Sequence, residues 1–231
     1  MTQLLAIETS AARCSVALQV NDQITERSLS GQRSHTASLL PFVQELLADA
    51  GIAVKDLDAI IFSAGPGSFT GIRLAASVAK SLAYAADIPV VAVSSLAVLA
   101  QGGYRCHQLS NCGVVSDARM DELYLGHYAL EASPAGPVMV AKSADDLVKI
   151  AGADVPDLDT WVTNDTAALS AIDVVAHLSL EEVIPSAIDA LVLGHYALLN
   201  GDTSTALDAE AIYLRGKSGW KTTAEQGRPA K

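Results

Sequence analysis

The sequence predicts an α/β fold of two small subdomains, each a mixed sheet flanked by helices. Two observations predict it. Three short strand patterns open the chain, and helix and strand patterns then alternate. After Gly102-Gly103 the order starts again with strand, polar turn and strand, although no repeat can be aligned. The expected division is an N-terminal subdomain at 1–103, a C-terminal subdomain at 104–214 and a basic, flexible tail at 215–231.

The elements follow in order. "QLLAIE", "CSVALQV" and "ITERSL" read as strands, with "TSAAR" and "NDQ" as their turns. "HTASLLPFVQELLADAG" reads as a helix stopped at Ala50-Gly51. "LDAIIFSAG" is an apolar strand, and "FTGIRLAASVAKSLAYAAD" a long helix. "IPVVAV" is a buried strand and "SSLAVLAQG" a capped short helix that ends at the glycine pair. In the second half, "CGVVSDAR", "ELYLGHYAL" and "GPVMVAK" read as strands. "SADDLVKIAG" is then expected as a helix, "TWVTN" as a strand and "SAIDALVLGHYALLNG" as a helix. This last helix, near 186–200, has the apolar surface to pack back on the first subdomain.

Charge narrows the function. Lys and Arg number 15 against 26 Asp and Glu, a net charge of −11. Residues 143–210 hold thirteen acids and one basic residue, Lys149. Such a surface repels nucleic acid, whose binders present a basic face. No apolar run approaches the ~18 residues of a membrane span, and "MTQLLAIETS" lacks the basic start of a signal peptide. The three cysteines, Cys14, Cys106 and Cys112, form no CxxC pair and fit reduced thiols. A cytoplasmic protein is expected.

The most unusual stretch is "FSAGPGSFTGIR", where Gly65, Pro66, Gly67, Ser68 and Gly71 crowd a strand-to-helix turn. It is neither a Walker A loop, which needs GxxxxGK[ST], nor a GxSxG nucleophile elbow. Two readings remain: an anion site at a helix N-terminus, or a shaped turn with Ser68 or Thr70 as N-cap.

Two other turns test nucleotide binding. A phosphate-gripping hairpin wants glycine, so that backbone N–H groups can approach the phosphates. The first turn is Glu8-Thr9-Ser10 and has no glycine; the second is Asp117-Ala118-Arg119, with a long Arg where a small residue is wanted. Glu8, Thr9, Ser10 and Asp117 are thus relic phosphate-turn candidates, and no catalytic residue stands out. The histidines, His35, His107, His127, His177 and His195, include no pair at the spacing of metal ligands on a helix.

Two helices carry more apolar surface than one sheet face takes up. Leu39, Val43 and Leu46 line one stripe; Ala75, Val78, Ala79 and Leu82 line another. Either the helices cover each other, or these seven residues meet a second protein.

Taken together, "LLAIETSAARCSVAL", "HTASLLPFVQELLADAGI", "LDAIIFSAGPGSFTGIRLAASVAKSLA", "IPVVAVSSLAVLA", "SDARMDELYLGHY" and "AIYLRG" resemble, in order, the TsaB (YeaZ) proteins of bacteria. The likeness covers most of the first 130 residues and returns near Tyr213; residues 143–205 are only loosely similar. The resemblance implies an actin/Hsp70-like duplicated fold in a degenerate form. It implies a non-catalytic subunit that pairs with its paralogue TsaD, helps recruit the ATPase TsaE, and pairs with itself when TsaD is absent. That complex forms N6-threonylcarbamoyladenosine beside the anticodon of tRNAs that read codons starting with A. No cofactor is then expected on this chain, ATP and metal belonging to the partner subunits, and tRNA is met only through the complex. The alternative on the same fold is a small-molecule kinase or ATPase.

Overall fold

The computed structural model describes residues 2–31, 35–170, 172–176 and 178–215. The basic tail from 216 onward and His177 lie outside them.

The first half is a five-stranded sheet in the order β3-β2-β1-β4-β5. Its strands are β1 (Gln3–Glu8), β2 (Arg13–Val20), β3 (Gln23–Ser30), β4 (Ala59–Ser63) and β5 (Val90–Val93). The first three form an antiparallel meander, and β4 and β5 join β1 in parallel. Helices α1 (His35–Ala50) and α2 (Phe69–Ala86) make the crossovers on one face.

Alternation along the strands sorts the core. Leu5, Ile7, Val16, Leu18, Ile60 and Phe62 point to α1 and α2, while Leu4, Ala6, Ala17, Ala59 and Ile61 point to the other face. That second face is covered by α5 (Ala187–Leu199), the late helix, through Ala187, Ala190 and Leu191. A sheet buried on both sides explains the near-continuous apolar runs of β1 and β4.

The second half is a six-stranded sheet in the order β11-β10-β6-β7-β8, with β9 pairing to β7. Its strands are β6 (Asn111–Arg119), β7 (Glu122–Ser133), β8 (Gly136–Ala141), β9 (Asp146–Lys149), β10 (Trp161–Thr163) and β11 (Leu180–Glu182). Helix α3 (Ser95–His107) packs on one face through Leu96, Leu99 and Ala100. Trp161, Leu123 and Leu125 face the other way, onto Leu169 of α4 (Thr166–Leu169) and Val175.

Two expectations are corrected. Gly102-Gly103 is not a break: α3 runs through both and ends only where Gln108 turns left-handed (φ 57°). Glycine is needed there for packing, since a Cβ on Gly102 would stand 2.5 Å from Val183 and one on Gly103 2.8 Å from Val162. A subdomain boundary at 103 therefore falls inside α3, which packs on the second sheet and on α5. The segment "SADDLVKIAG" is a strand, β9, paired antiparallel with Glu122–Leu125 of β7. Asp145 accepts hydrogen bonds from Ser94 Oγ (2.5 Å) and Tyr128 Oη, which draws the segment out along the sheet.

Candidate functional site

The two hairpin turns face each other across a cleft of about 490 Å³ between the halves. Ser10, Pro66, Gly67 and Ser68 line it from the first half, Asp117, Arg119, Tyr124 and Asn164 from the second. Ile212, Tyr213, Leu214 and Arg215 form a further wall.

The first turn is folded in on itself. Glu8 closes β1 and is wholly buried. Its Oε1 accepts from the Ser10 amide (2.5 Å) and hydroxyl (2.6 Å). Burial pushes this carboxyl above its ordinary range, against the opposing influence of the Ser10 and Ser63 hydroxyls. Thr9 is also buried and donates its hydroxyl to the Gly71 carbonyl at 2.8 Å. Of the four relic phosphate-turn candidates, only Ser10 and Asp117 reach the cleft wall; Glu8 and Thr9 sit behind it.

The glycine loop has a use for each glycine. Gly67 (φ 153°) passes so close to the first turn that a Cβ would lie 2.7 Å from the Ser10 carbonyl. A Cβ on Gly71 would run into the Thr9 carbonyl, and one on Gly65 (φ 109°) would lie 2.8 Å from that of Ile212. Three of the loop's donors are engaged by the chain itself. Ser68 N–H bonds to Ser10 O, Gly65 N–H to Ser95 Oγ, and Gly71 N–H to Ser68 Oγ, the N-cap of α2. Backbone approach, more than anion binding, accounts for the composition.

The second turn is tight: Arg119, Met120 and Asp121 all have φ near +60°. Arg119 pairs with Asp117 within the turn, amide to carboxylate at 2.7 Å and guanidinium to carboxylate at 2.9 Å. Arg215 grips the same turn from outside. Its Nη2 lies 2.5 Å from Glu122 Oε2 and also donates to the carbonyls of Ala118 and Arg119. In the sequence Arg215 reads as the start of a tail, and nothing in the spacing of "AIYLRG" pairs it with Glu122.

The seven residues expected at a partner interface fare unequally. Leu39, Val43, Leu46, Ala75 and Ala79 are buried against the chain's own sheet. That corrects the expectation for five of them, because the alanines let α2 settle directly on β4. Val78 and Leu82 remain half-buried at the outer flank. The outward surface is carried instead by Leu40 (46% exposed) and Tyr84 (69%), with half-buried Leu74. The other flank of α2 is covered by the chain itself, as Lys80 Nζ donates to the carbonyls of Leu207 and Ala209.

Among the described residues no group of three or more His, Cys, Asp or Glu could hold a metal. His35 bonds to the Ala12 carbonyl and His127 to Asn111, each in a separate place. Cys14 and Cys112 are buried, and burial pushes their thiols up to about 11 and about 12. No helix among the described residues is long and apolar enough to cross a membrane.

Two α/β halves, with a hairpin turn from each facing one cleft, define an α/β actin-like duplicated fold. A family model described as TsaD, tRNA N6-adenosine threonylcarbamoyltransferase, matches residues 25–188. The tRNA threonylcarbamoyladenosine biosynthesis protein TsaB of Haemophilus influenzae is 33% identical over 228 residues, 94% of this chain and 95% of that protein. The Escherichia coli K12 protein of the same name is 31% identical over 95% of this chain and 97% of its own length. The solved structure of YeaZ from Pseudomonas aeruginosa superposes with a TM-score of 0.82 at 35% identity, over 93% of this chain and all of that one. The chain belongs to the TsaB (YeaZ) family.

Proposed function

We propose that this chain is the non-catalytic subunit of a complex that makes N6-threonylcarbamoyladenosine in tRNA. In this reading it pairs with a TsaD-type transferase, helps bring in a TsaE-type ATPase, and pairs with itself when TsaD is absent. It acts in the cytoplasm, takes no cofactor of its own and meets tRNA through its partners. The observation that carries the reading is the state of the two turns. In the first turn the Ser10 amide is taken up by the buried Glu8 carboxyl, and in the adjoining glycine loop the N–H groups of Gly65, Ser68 and Gly71 are bonded to Ser95, Ser10 and Ser68. The second turn holds a guanidinium with its carbonyls, a polarity opposite to that of an anion site. The partner face is assigned to Leu74, Val78 and Leu82 of α2 with Leu40 of α1, which lie on the outward or flanking stripes.

The experiment is reconstitution. The purified chain is mixed with a TsaD protein, a TsaE protein, ATP, unmodified tRNA and a supply of threonylcarbamoyl-adenylate donor, and threonylcarbamoyladenosine in tRNA is followed by mass spectrometry. Modification should need this chain and be absent when it is omitted. Calorimetry with magnesium and ATP on the isolated chain is the companion measurement. Micromolar binding there would move the assignment to a kinase or ATPase.

A further inference from the structure

Residues 204–215 leave the end of α5 and cross from the first half to the second. The run is pinned along its length to the first half. Ser204 exchanges two backbone hydrogen bonds of 2.9 Å with Val90 on the outer edge of β5. Ala206 and Ala209 enter the core beneath α2. Lys80 holds the Ala209 carbonyl at 2.7 Å. Ile212 N–H donates to Ala64 O at 2.8 Å, beside the glycine loop. Arg73, lying 3.6 Å above the Phe69 ring, reaches Tyr213 Oη at 3.3 Å.

Two residues later the run is fastened to the second half. Arg215 Nε and Nη2 hold Glu122 Oε2 at 3.0 and 2.5 Å, and Nη2 also reaches the carbonyls of Ala118 and Arg119 at 3.1 and 3.3 Å. Nη1 lies 3.2 Å from Met120 Sδ. Every side-chain nitrogen of Arg215 thus has a partner, and every partner lies in the β6–β7 hairpin, between Ala118 and Glu122. Both ion-pair side chains are largely buried, so this is a charge-assisted clasp in a shielded place. Gly65 makes the crossing possible, since a side chain there would strike Ile212 O.

We propose that residues 204–215 are a strap holding the two halves at one opening, with Arg215 as its clasp on the second turn. In an actin-like cleft a bound nucleotide bridges two such turns. Here the chain's own C-terminal run makes the link, held beside the glycine loop through Ile212 and on the second turn through Arg215, so the opening is fixed without a ligand. The strap would keep α1 and α2 at a constant angle to the second half. This goes beyond the scaffold reading and does not depend on which protein is bound.

The test measures the opening in the full chain. Ser77 and Asp173 are exposed, one on each half, and take spin labels as Ser77→Cys and Asp173→Cys. Exposed Cys106 is removed by Cys106→Ser. Electron-electron distances are then compared in the parent, Arg215→Met, Glu122→Gln and Arg119→Met. The parent should give one narrow distribution. Arg215→Met should broaden it and move it by several ångström, as for a released hinge. Glu122→Gln should do so less, because the carbonyl contacts survive. Arg119→Met, which removes a guanidinium bonded only within the turn, should match the parent. A parent-like distribution in Arg215→Met would overturn the proposal. So would an equal shift in Arg119→Met, or loss of the fold in both Arg215→Met and Glu122→Gln, which would make the strap part of the core.

Discussion

The Thr9 carbonyl lies directly against the α-carbon of Gly71, and the Thr9 hydroxyl bonds to the Gly71 carbonyl at 2.8 Å. The first hairpin turn and the start of α2 are thereby one packed unit. Gly71→Ala should push them apart and cost about 3 kcal/mol, the upper end of overpacking. Gly51→Ala is the control, because its Cβ meets nothing within 4 Å and only the left-handed backbone (φ 67°) resists it. That variant should lose about 1 kcal/mol. Urea unfolding of both separates crowding from backbone strain.

Ala79 and Val78 sit side by side on α2 but face different surroundings. Ala79 is buried on the sheet and Val78 half-buried at the flank. Ala79→Glu should unfold or severely weaken the monomer, since an unpaired buried charge costs about 3–5 kcal/mol. Val78→Glu should leave the circular dichroism spectrum intact and weaken association with the TsaD-type partner proposed above by about 100-fold, each tenfold being ~1.4 kcal/mol. Sedimentation of the folded variant checks it; undiminished pairing would place the interface elsewhere.

Glu8 gives a pH signature. Its folded carboxyl is raised by burial above the ordinary 4.5. Its contribution to stability is fully present below that value and is lost as pH rises through the folded one. Glu8→Gln removes the titration. The stability of the parent relative to Glu8→Gln should therefore fall as pH increases from below 4.5 toward neutrality. Paired urea titrations across that window provide the check; a parallel pair of curves would show that Glu8 titrates as it does in the unfolded chain.

Arg105 and Asp189 tie α3 to α5 through two hydrogen bonds of 2.8 and 2.9 Å. Asp189 is buried, and burial pushes its carboxyl up while Arg105 opposes the shift. Arg105→Met should cost about 3 kcal/mol by leaving that carboxylate unpaired. Arg105→Met with Asp189→Leu should recover most of the loss, because an apolar pair needs no desolvated charge. Thermal melts of the single and double variants decide it.

Much of this architecture is legible in the sequence because period-2 and helical patterns are strong in the first half. β1, β4, α1 and α2 stand where those patterns put them, and Ser68 caps α2 as its position suggests. The failures have local causes. Gly102-Gly103 looks like punctuation, yet the glycines serve contacts with Val183 and Val162 that are remote in sequence. β9 looks helical because its strand character comes from pairing with β7. The stripe through Ala75 and Ala79 reads as apolar in the sequence, but periodicity names a face and not what covers it. Arg215 was illegible because its partner, Glu122, lies 93 residues away.

The pairing of Ser204 with Val90 has a consequence for solubility. β5 is the outer strand of its sheet, and an uncovered outer strand is a template on which another chain can add. Two backbone bonds from Ser204 close part of that edge, at the point where the chain leaves α5. At the opposite edge, β3 places Arg27 between Glu45 and Asp49 of α1, so an incoming strand would meet charge. A chain cut short before Ser204 would lose the first guard and keep the second, and its aggregates should grow from the β5 side.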